Sequence, residues 1–439
     1  MRLSRLAFLI FPLLILIAGC DLIQVDSNPG LIPTLAATTA PTTNAPQVIE
    51  ESLPEVPAPV RSSTVRLWIP PEIGTRTEAG AQELISQLRA FETGHNDLEI
   101  IVEQKPVEGA GGILNYLQTG RAVAPTVMPD IVAVPTSLLV DARMRDLFYP
   151  LEALTALPSI DGVYPGPAGQ VINGSQILGY PFATMGVTHL IFEPDVITQT
   201  IPMRWTQFIS DTNHTLVLPA DSREGAMLGL QFYLAQGGTL VDGGGKAALE
   251  AEPLSRALAM IGVRKENLLQ SHQLKTLDEA WQYHQLGLSN FMWMRSEYLL
   301  SRQAIDPSLI TGMDYSAVPG VDGPLVPLTT SWAWAVTIAD PVRQALAAEL
   351  IAYLTLPENL ASWTSRSQLL PAQRQTMSLL SEQDAYMQFA AEQMELAQPM
   401  PVNETSRLMD VLGDAVFQVL TTEVSPVLIA EQAVVALRQ

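Results

Sequence analysis

The sequence predicts an α/β protein. Strand and helix patterns alternate from Val65 to Val134, the signature of a parallel, doubly wound sheet. Of the 439 residues 47 % are apolar and 16 % charged, enough to fill large cores. The one cysteine, Cys20, excludes a disulfide framework and a Cys-based zinc site within the chain.

The elements follow in order. Val65-Arg66-Leu67-Trp68-Ile69 alternates and then meets Pro70-Pro71, which cannot extend a ladder. Ala81, Leu84, Ile85, Leu88 and Phe91 recur at helical spacing. Leu98 to Val102 reads as a strand, Ile113 to Leu117 as a short helix, and Asp130 to Val134 as a buried strand. Ligands of such sheets sit beyond the carboxyl ends of the strands, here Ile69 to Glu72 and Pro135 to Ser137.

A second set comes later. Ile177 to Phe182 and Val187 to Phe192 are strand-like. Arg223 to Gln236 is a helix that Gly237-Gly238 stops. Pro253 to Ile261 and Leu277 to Leu286 are helical, Ser289 to Met294 is a strand, and Ser331 to Ile338 leads into the helix Val342 to Leu356. Leu408 to Leu420 keeps one apolar helical face.

The amino terminus reads as an address. Arg2 and Arg5 precede an apolar stretch, Leu6 to Ile17, and then Ala18-Gly19-Cys20. This resembles a bacterial lipoprotein signal, which implies cleavage after residue 19 and acylation of Cys20. Residues 20–63 carry seven prolines and a Thr/Ala-rich run and read as an extended tether. No later apolar run is long enough to span a bilayer.

The net charge of −21 argues against nucleic acid, because phosphates call for clustered Lys and Arg. No Gly-x-Ser-x-Gly or His-Glu-x-x-His motif occurs. Gly243-Gly244-Gly245-Lys246 fails as a phosphate loop, since Ala247 follows the lysine and Leu240 stands where the first glycine belongs. The five histidines have no ligand spacing, so no metal or other cofactor is expected. An acid pair of a glycosidase stays open, because such residues need not be close in sequence.

From about Val65 onward the order of short blocks resembles the extracellular solute-binding proteins of ABC importers, the sugar-type family 1 that includes maltose-binding proteins. The blocks are Pro129-Asp130-Ile131-Val132; Gly179-Tyr180-Pro181-Phe182 followed by His189-Leu190-Ile191-Phe192; Ile201-Pro202-Met203-Arg204-Trp205; Ala235-Gln236-Gly237-Gly238; Leu286-Gly287 to Met292; Leu356-Pro357-Glu358; and Leu369-Leu370-Pro371. Arg204 and Glu193 depart from the family's usual Thr and Asn.

The resemblance implies a two-lobed, periplasmic-binding-protein-like (type II) fold. Each lobe is then a mostly parallel sheet flanked by helices: residues 64–183 with about 329–370, and residues 184–328 with 371–439. The hinge crossings would fall near Ala183 to Gly186, Val318 to Leu328 and Leu370 to Ala372. It implies no enzyme but a monomeric, lipid-anchored receptor that hands a sugar or oligosaccharide to the transmembrane subunits of a permease. A surface-tethered glycan-active enzyme, a sensor, or a receptor for another solute are the alternatives.

A sugar offers apolar faces to aromatics and hydroxyls to charged partners. Trp68 and Glu72 at the end of the first strand are candidates, and so are Thr136 and Ser137 after the "PDIV" strand. So are Phe182 and Met185 by the first crossing, and Trp332, which shares a strand face with Trp334. Trp293, Arg295 and Glu297 alternate on one side of Phe291 to Tyr298. Each has a plainer alternative: core packing for the aromatics, a local ion pair for Arg295 and Glu297, backbone bonding for Thr136 and Ser137.

Overall fold

Alternating apolar residues build the strands β1 (Ser63–Ile69), β2 (Leu98–Gln104), β3 (Ile131–Pro135), β4 (Ile172–Asn173), β5 (Gln176–Ile177), β6 (Tyr180–Met185), β7 (Thr188–Phe192), β8 (Leu216–Val217), β9 (Phe291–Arg295), β10 (Asp314–Ser316), β11 (Leu328–Val336), β12 (Leu370–Pro371) and β13 (Gln398–Pro399). The computed structural model describes residues 63–439 except 121–122, 124–126, 142, 153, 155, 198, 269–270 and 383. These residues belong to one compact unit, Pro59–Gln439. The signal at 1–19, Cys20 and the tether up to residue 62 lie outside the described residues.

Two main sheets carry the fold. The larger runs β12-β6-β11-β3-β1-β2, with β13 paired to β11; the smaller runs β10-β7-β9-β8. β1 pairs parallel with β2 and β3, whereas β11 is antiparallel to both β3 and β6. In the smaller sheet β8 and β9 are parallel, and β7 is antiparallel to β9 and β10. Both sheets are therefore mixed, which corrects the expectation of mostly parallel sheets. Parallel pairing needs a crossover within one sheet, but β7 and β11 arrive from the opposite sheet through direct crossings. The strand expected over Ile177 to Phe182 is divided: Ile177 pairs in a small hairpin, and β6 starts at Tyr180.

Period-two alternation decides what each face buries. In the larger sheet Val65, Leu67, Ile69, Phe182, Trp332 and Trp334 face the helices Glu78–Thr93 and Pro357–Ser367. Trp68, Val132 and Val134 face the opposite way, toward Ile113–Gly120. In the smaller sheet Leu190, Phe192, Phe291 and Trp293 join the core with Arg223–Ala235, Ala251–Gly262 and Arg407–Thr421. Ile191, Met292 and Met294 pack on the other face with Tyr386 and Met394. Asp130 is wholly buried at the head of β3. Burial pushes its carboxyl up, and the Arg66 N–H and the Arg343 guanidinium, each at 2.7 Å, offset only part of that.

The chain passes between the sheets at three places. β6 leads to β7 through Gly186 and Val187, β10 leads to β11 through residues 317–327, and β12 leads through Ala372 and Gln373 to the helix Arg374–Ser381. Gly186 has φ +93°, and a Cβ there would sit 3.1 Å from the Leu328 oxygen and 3.3 Å from Arg295 Nη2. Only glycine lets the first and second passages run this close.

Two outcomes follow. Gly186→Ala places a side chain at positive φ against backbone, so urea unfolding at neutral pH should show a loss of about 2 kcal/mol. His189 on β7 is wholly buried. Burial pushes its imidazole from an ordinary 6.5 to about 4, despite the Val187 carbonyl and the Glu297 carboxylate nearby. A depressed pKa means stability fully present above 6.5 and lost as pH falls through about 4. That amounts to about 3 kcal/mol, and the unfolding midpoint of His189→Phe should decline less over this range than the wild type's.

Candidate functional site

The carboxyl ends of parallel strands are where a ligand meets backbone donors and loop side chains. β8 ends at Val217 beside Met292, and β9 continues three residues further, to Arg295. Beyond β8 the chain turns at Ser222, whose hydroxyl caps the next helix by accepting the Glu224 N–H at 3.1 Å. Small residues then bring two helices together. Gly413 would put a Cβ 3.4 Å from that of Ala226, and Gly229 one at 2.7 Å from Val416 Cγ2.

A cavity of about 410 Å³ opens between the start of the first helix and the flank of Arg407–Thr421. Asp221, Ser222 and Arg223 line one side, and Asp410, Asp414 and Phe417 the other. Two placements among its charges cost stability. Arg223 stands in the first turn of its helix, where the dipole disfavours a cation. Asp410 and Asp414 lie one turn apart and repel. Among the described residues no side-chain hydrogen bond or ion pair satisfies any of these three. Asp221 is paired with Lys275 at 3.5 Å.

The end of β9 is the reverse case, a cluster of buried charges held as ion pairs. Arg295 is 9 % exposed. Its Nη1 and Nη2 each donate to Glu404 at 2.9 Å, while its Nε lies 2.8 Å from Glu297 Oε1 as an ion pair without hydrogen-bond alignment. The other Glu297 oxygen accepts the Gly186 N–H at 2.9 Å and the Ser296 hydroxyl at 3.1 Å. Burial pushes the Arg295 pKa down, but Glu297 and Glu404 more than reverse this. Burial likewise pushes Glu297 up, and Arg295, the Gly186 N–H and Arg76 hold it below the ordinary carboxylate range. Arg295 and Glu297 are thus both charged. Glu224, in the first turn of Arg223–Ala235, adds to the field at Arg295.

The residues expected from sequence scatter. Arg295 and Glu297 do meet, though not by strand alternation: β9 stops at Arg295, and Glu297 folds back from the first turn of Ser296–Ile305. Met185 is half-buried, opposite Thr330 at the last β6 pair before the first passage. Trp332 pairs with Ala183 and is 6 % exposed, and its indole N–H has no partner. Phe182 is wholly buried, stacked at 4.3 Å on Trp334 and 5.5 Å from Trp363. Trp293 is wholly buried in the smaller sheet's core. Trp68 is 2 % exposed, edge-on to Tyr116 at 5.6 Å with Lys105 Nζ 4.7 Å over its ring.

Thr136 is buried and bonds Gln170 and the Ser331 carbonyl. Glu72 and Ser137 are exposed at the starts of Pro71–Gly74 and Ser137–Val140. Sequence reasoning passed over Ser222, Arg223, Glu404, Asp410 and Asp414. The readable signal was Asp410 and Asp414 at helical spacing, flanking Gly413 on an otherwise apolar helix.

Among the described residues no cluster of His, Cys, Asp and Glu is arranged to hold a metal ion, and no helix is long and apolar enough to cross a membrane. Residues 86–388 match the family described as bacterial extracellular solute-binding protein. The GacH receptor of Streptomyces glaucescens GLA.O, solved unliganded and with acarbose, is similar in structure, with TM-score 0.61 and 17 % identity over 86 % of this chain and 98 % of that one. Maltose-bound MalE3 of T. maritima gives 0.61 and 16 % over 86 % and 99 %. The sugar-binding protein MalE of Xanthomonas citri gives 0.67 and 16 % over 84 % and 95 %. No curated protein matches the chain by sequence. The fold is thus the α/β, two-lobed fold of maltose-binding-like proteins. The chain belongs to the bacterial extracellular solute-binding proteins, a family of extracytoplasmic binders rather than enzymes.

Proposed function

We propose that the protein captures a carbohydrate at the carboxyl ends of its strands and delivers it to an ABC permease. The observation that carries this is the cavity with unspent charges. A polyol both donates and accepts hydrogen bonds, and charged partners make the strongest ones. Arg223 supplies donors, Asp410 and Asp414 supply acceptors, and none of the three satisfies another. Structural neighbours described with acarbose and with maltose support the choice of ligand class.

Residues 64–183 with 329–370 form one lobe, and residues 184–328 with 371–439 the other. Glu72 and Ser137, exposed at the ends of β1 and β3, supply polar groups from the first lobe. Trp68, Phe182, Trp293 and Trp332 pack the cores behind the sheets, and the paired Arg295 and Glu297 stand at the end of β9. Ligand that touches both lobes only when they are closed shifts the population toward closure, the form a permease reads. Cys20 carries the lipid anchor, and the Pro-rich segment spaces a monomeric binder from the membrane.

Thermal unfolding of the full-length protein against sugars, polyols, polyamines and amino acids tests this. One carbohydrate class should raise the midpoint and be recovered unchanged. The gain is about 4 kcal/mol at a thousandfold excess over Kd. Asp414→Ala should lose most of that shift while unfolding normally without ligand. A shift with amines or amino acids alone would overturn the ligand class, and consumption of the sugar would overturn the receptor role.

A further inference from the structure

We infer that Arg295 is a positioning residue that ties the cavity wall to the first passage between the sheets, so that movement at Gly186 and the placement of Asp410 and Asp414 are set together. The inference rests on the cavity being the solute site.

The connection is continuous. The Gly186 N–H donates to Glu297 at 2.9 Å, Glu297 holds Arg295 Nε at 2.8 Å, and Arg295 forks onto Glu404 with two bonds of 2.9 Å. A two-pronged guanidinium–carboxylate contact fixes orientation as well as distance. Glu404 sits in a stiff turn: the Asn403 side chain accepts the Thr405 N–H at 2.9 Å and its hydroxyl at 2.8 Å, and the Ser406 N–H reaches the Asn403 carbonyl at 2.9 Å. Helix Arg407–Thr421 starts directly after this turn and carries both aspartates.

The cluster holds two carboxylates against one guanidinium, and a buried charge left without its partner is costly. Arg76, in the loop after β1, faces the same Glu297 carboxylate from the larger sheet's side, and its Nε is buried without a partner. Rotation at Gly186 therefore either breaks the bond to Glu297 or carries Glu297, Arg295, Glu404 and the helix with it.

Amide hydrogen exchange of the ligand-free, full-length protein tests the coupling. Residue 404 has no hydrogen bond or ion pair with Gly186. Glu404→Gln, which offers one oxygen to the fork in place of two, should still quicken exchange at Gly186 by about tenfold. The core amide of Val132 should stay as slow as in the wild type. Arg295→Lys keeps the charge without the fork and should act the same way, which covers a Glu404 variant that fails to fold. Glu423→Gln, which breaks the remote pair with Lys265, should leave Gly186 unchanged. Unchanged Gly186 exchange in both cluster variants, or a uniform rise that includes Val132, overturns the inference. No sugar enters this measurement, so failure of the carbohydrate reading would show separately, as an absent thermal shift.

Discussion

A guanidinium inside a protein is tolerable only where carboxylates surround it. Arg295 meets that condition at the point where β9 ends, the first passage begins and the carboxyl-terminal segment returns. Three stretches far apart in sequence are held there by one side chain. The glycine at 186 is the corollary: with φ +93° and the Leu328 oxygen close by, the passage has no room for a Cβ. The mixed sheets have the same origin, since strands arriving through such passages enter against their neighbours.

Beside this paired cluster lies its chemical opposite. Arg223 lines the cavity against its helix dipole, and Asp410 and Asp414 repel each other one turn apart, although the first turn of its helix favours Asp410 itself. On the proposed reading a polyol would complete these exposed charges. The aromatic route to sugar binding is little used here. All seven tryptophans are at most 6 % exposed, and the ring in the cavity is Phe417. In the proposed site, recognition would rest on hydrogen bonds to hydroxyls more than on stacking.

The fold was legible in the sequence because period-two and 3.6-residue patterns are local. Val65 to Ile69, Val187 to Phe192, and the helices at Ala81 to Phe91 and Leu408 to Leu420 all stand where their patterns put them. The sheet order was not legible, because pairing between β11 and β3 depends on contacts some two hundred residues apart. The site was legible only where its residues are neighbours. Arg295 and Glu297 are two apart and meet, but Glu404 lies too far along the chain for any spacing argument. The aromatic candidates failed to separate for a plain reason: a tryptophan on a strand looks the same whether its face meets a helix or a cleft. Trp293 and Phe182 meet core, and no pattern in their own segments distinguishes that.

The central claim is that the cavity beside β8 is one wall of a carbohydrate site that the opposite lobe completes. The crystal structure of the protein with the sugar that stabilises it tests this most directly. The sugar should contact Arg223 and at least one of Asp410 and Asp414, and also a residue at the carboxyl ends of β1 or β3, such as Glu72 or Ser137. A sugar bound away from Arg223 and both aspartates, or held by one lobe alone with the other unmoved, would contradict it.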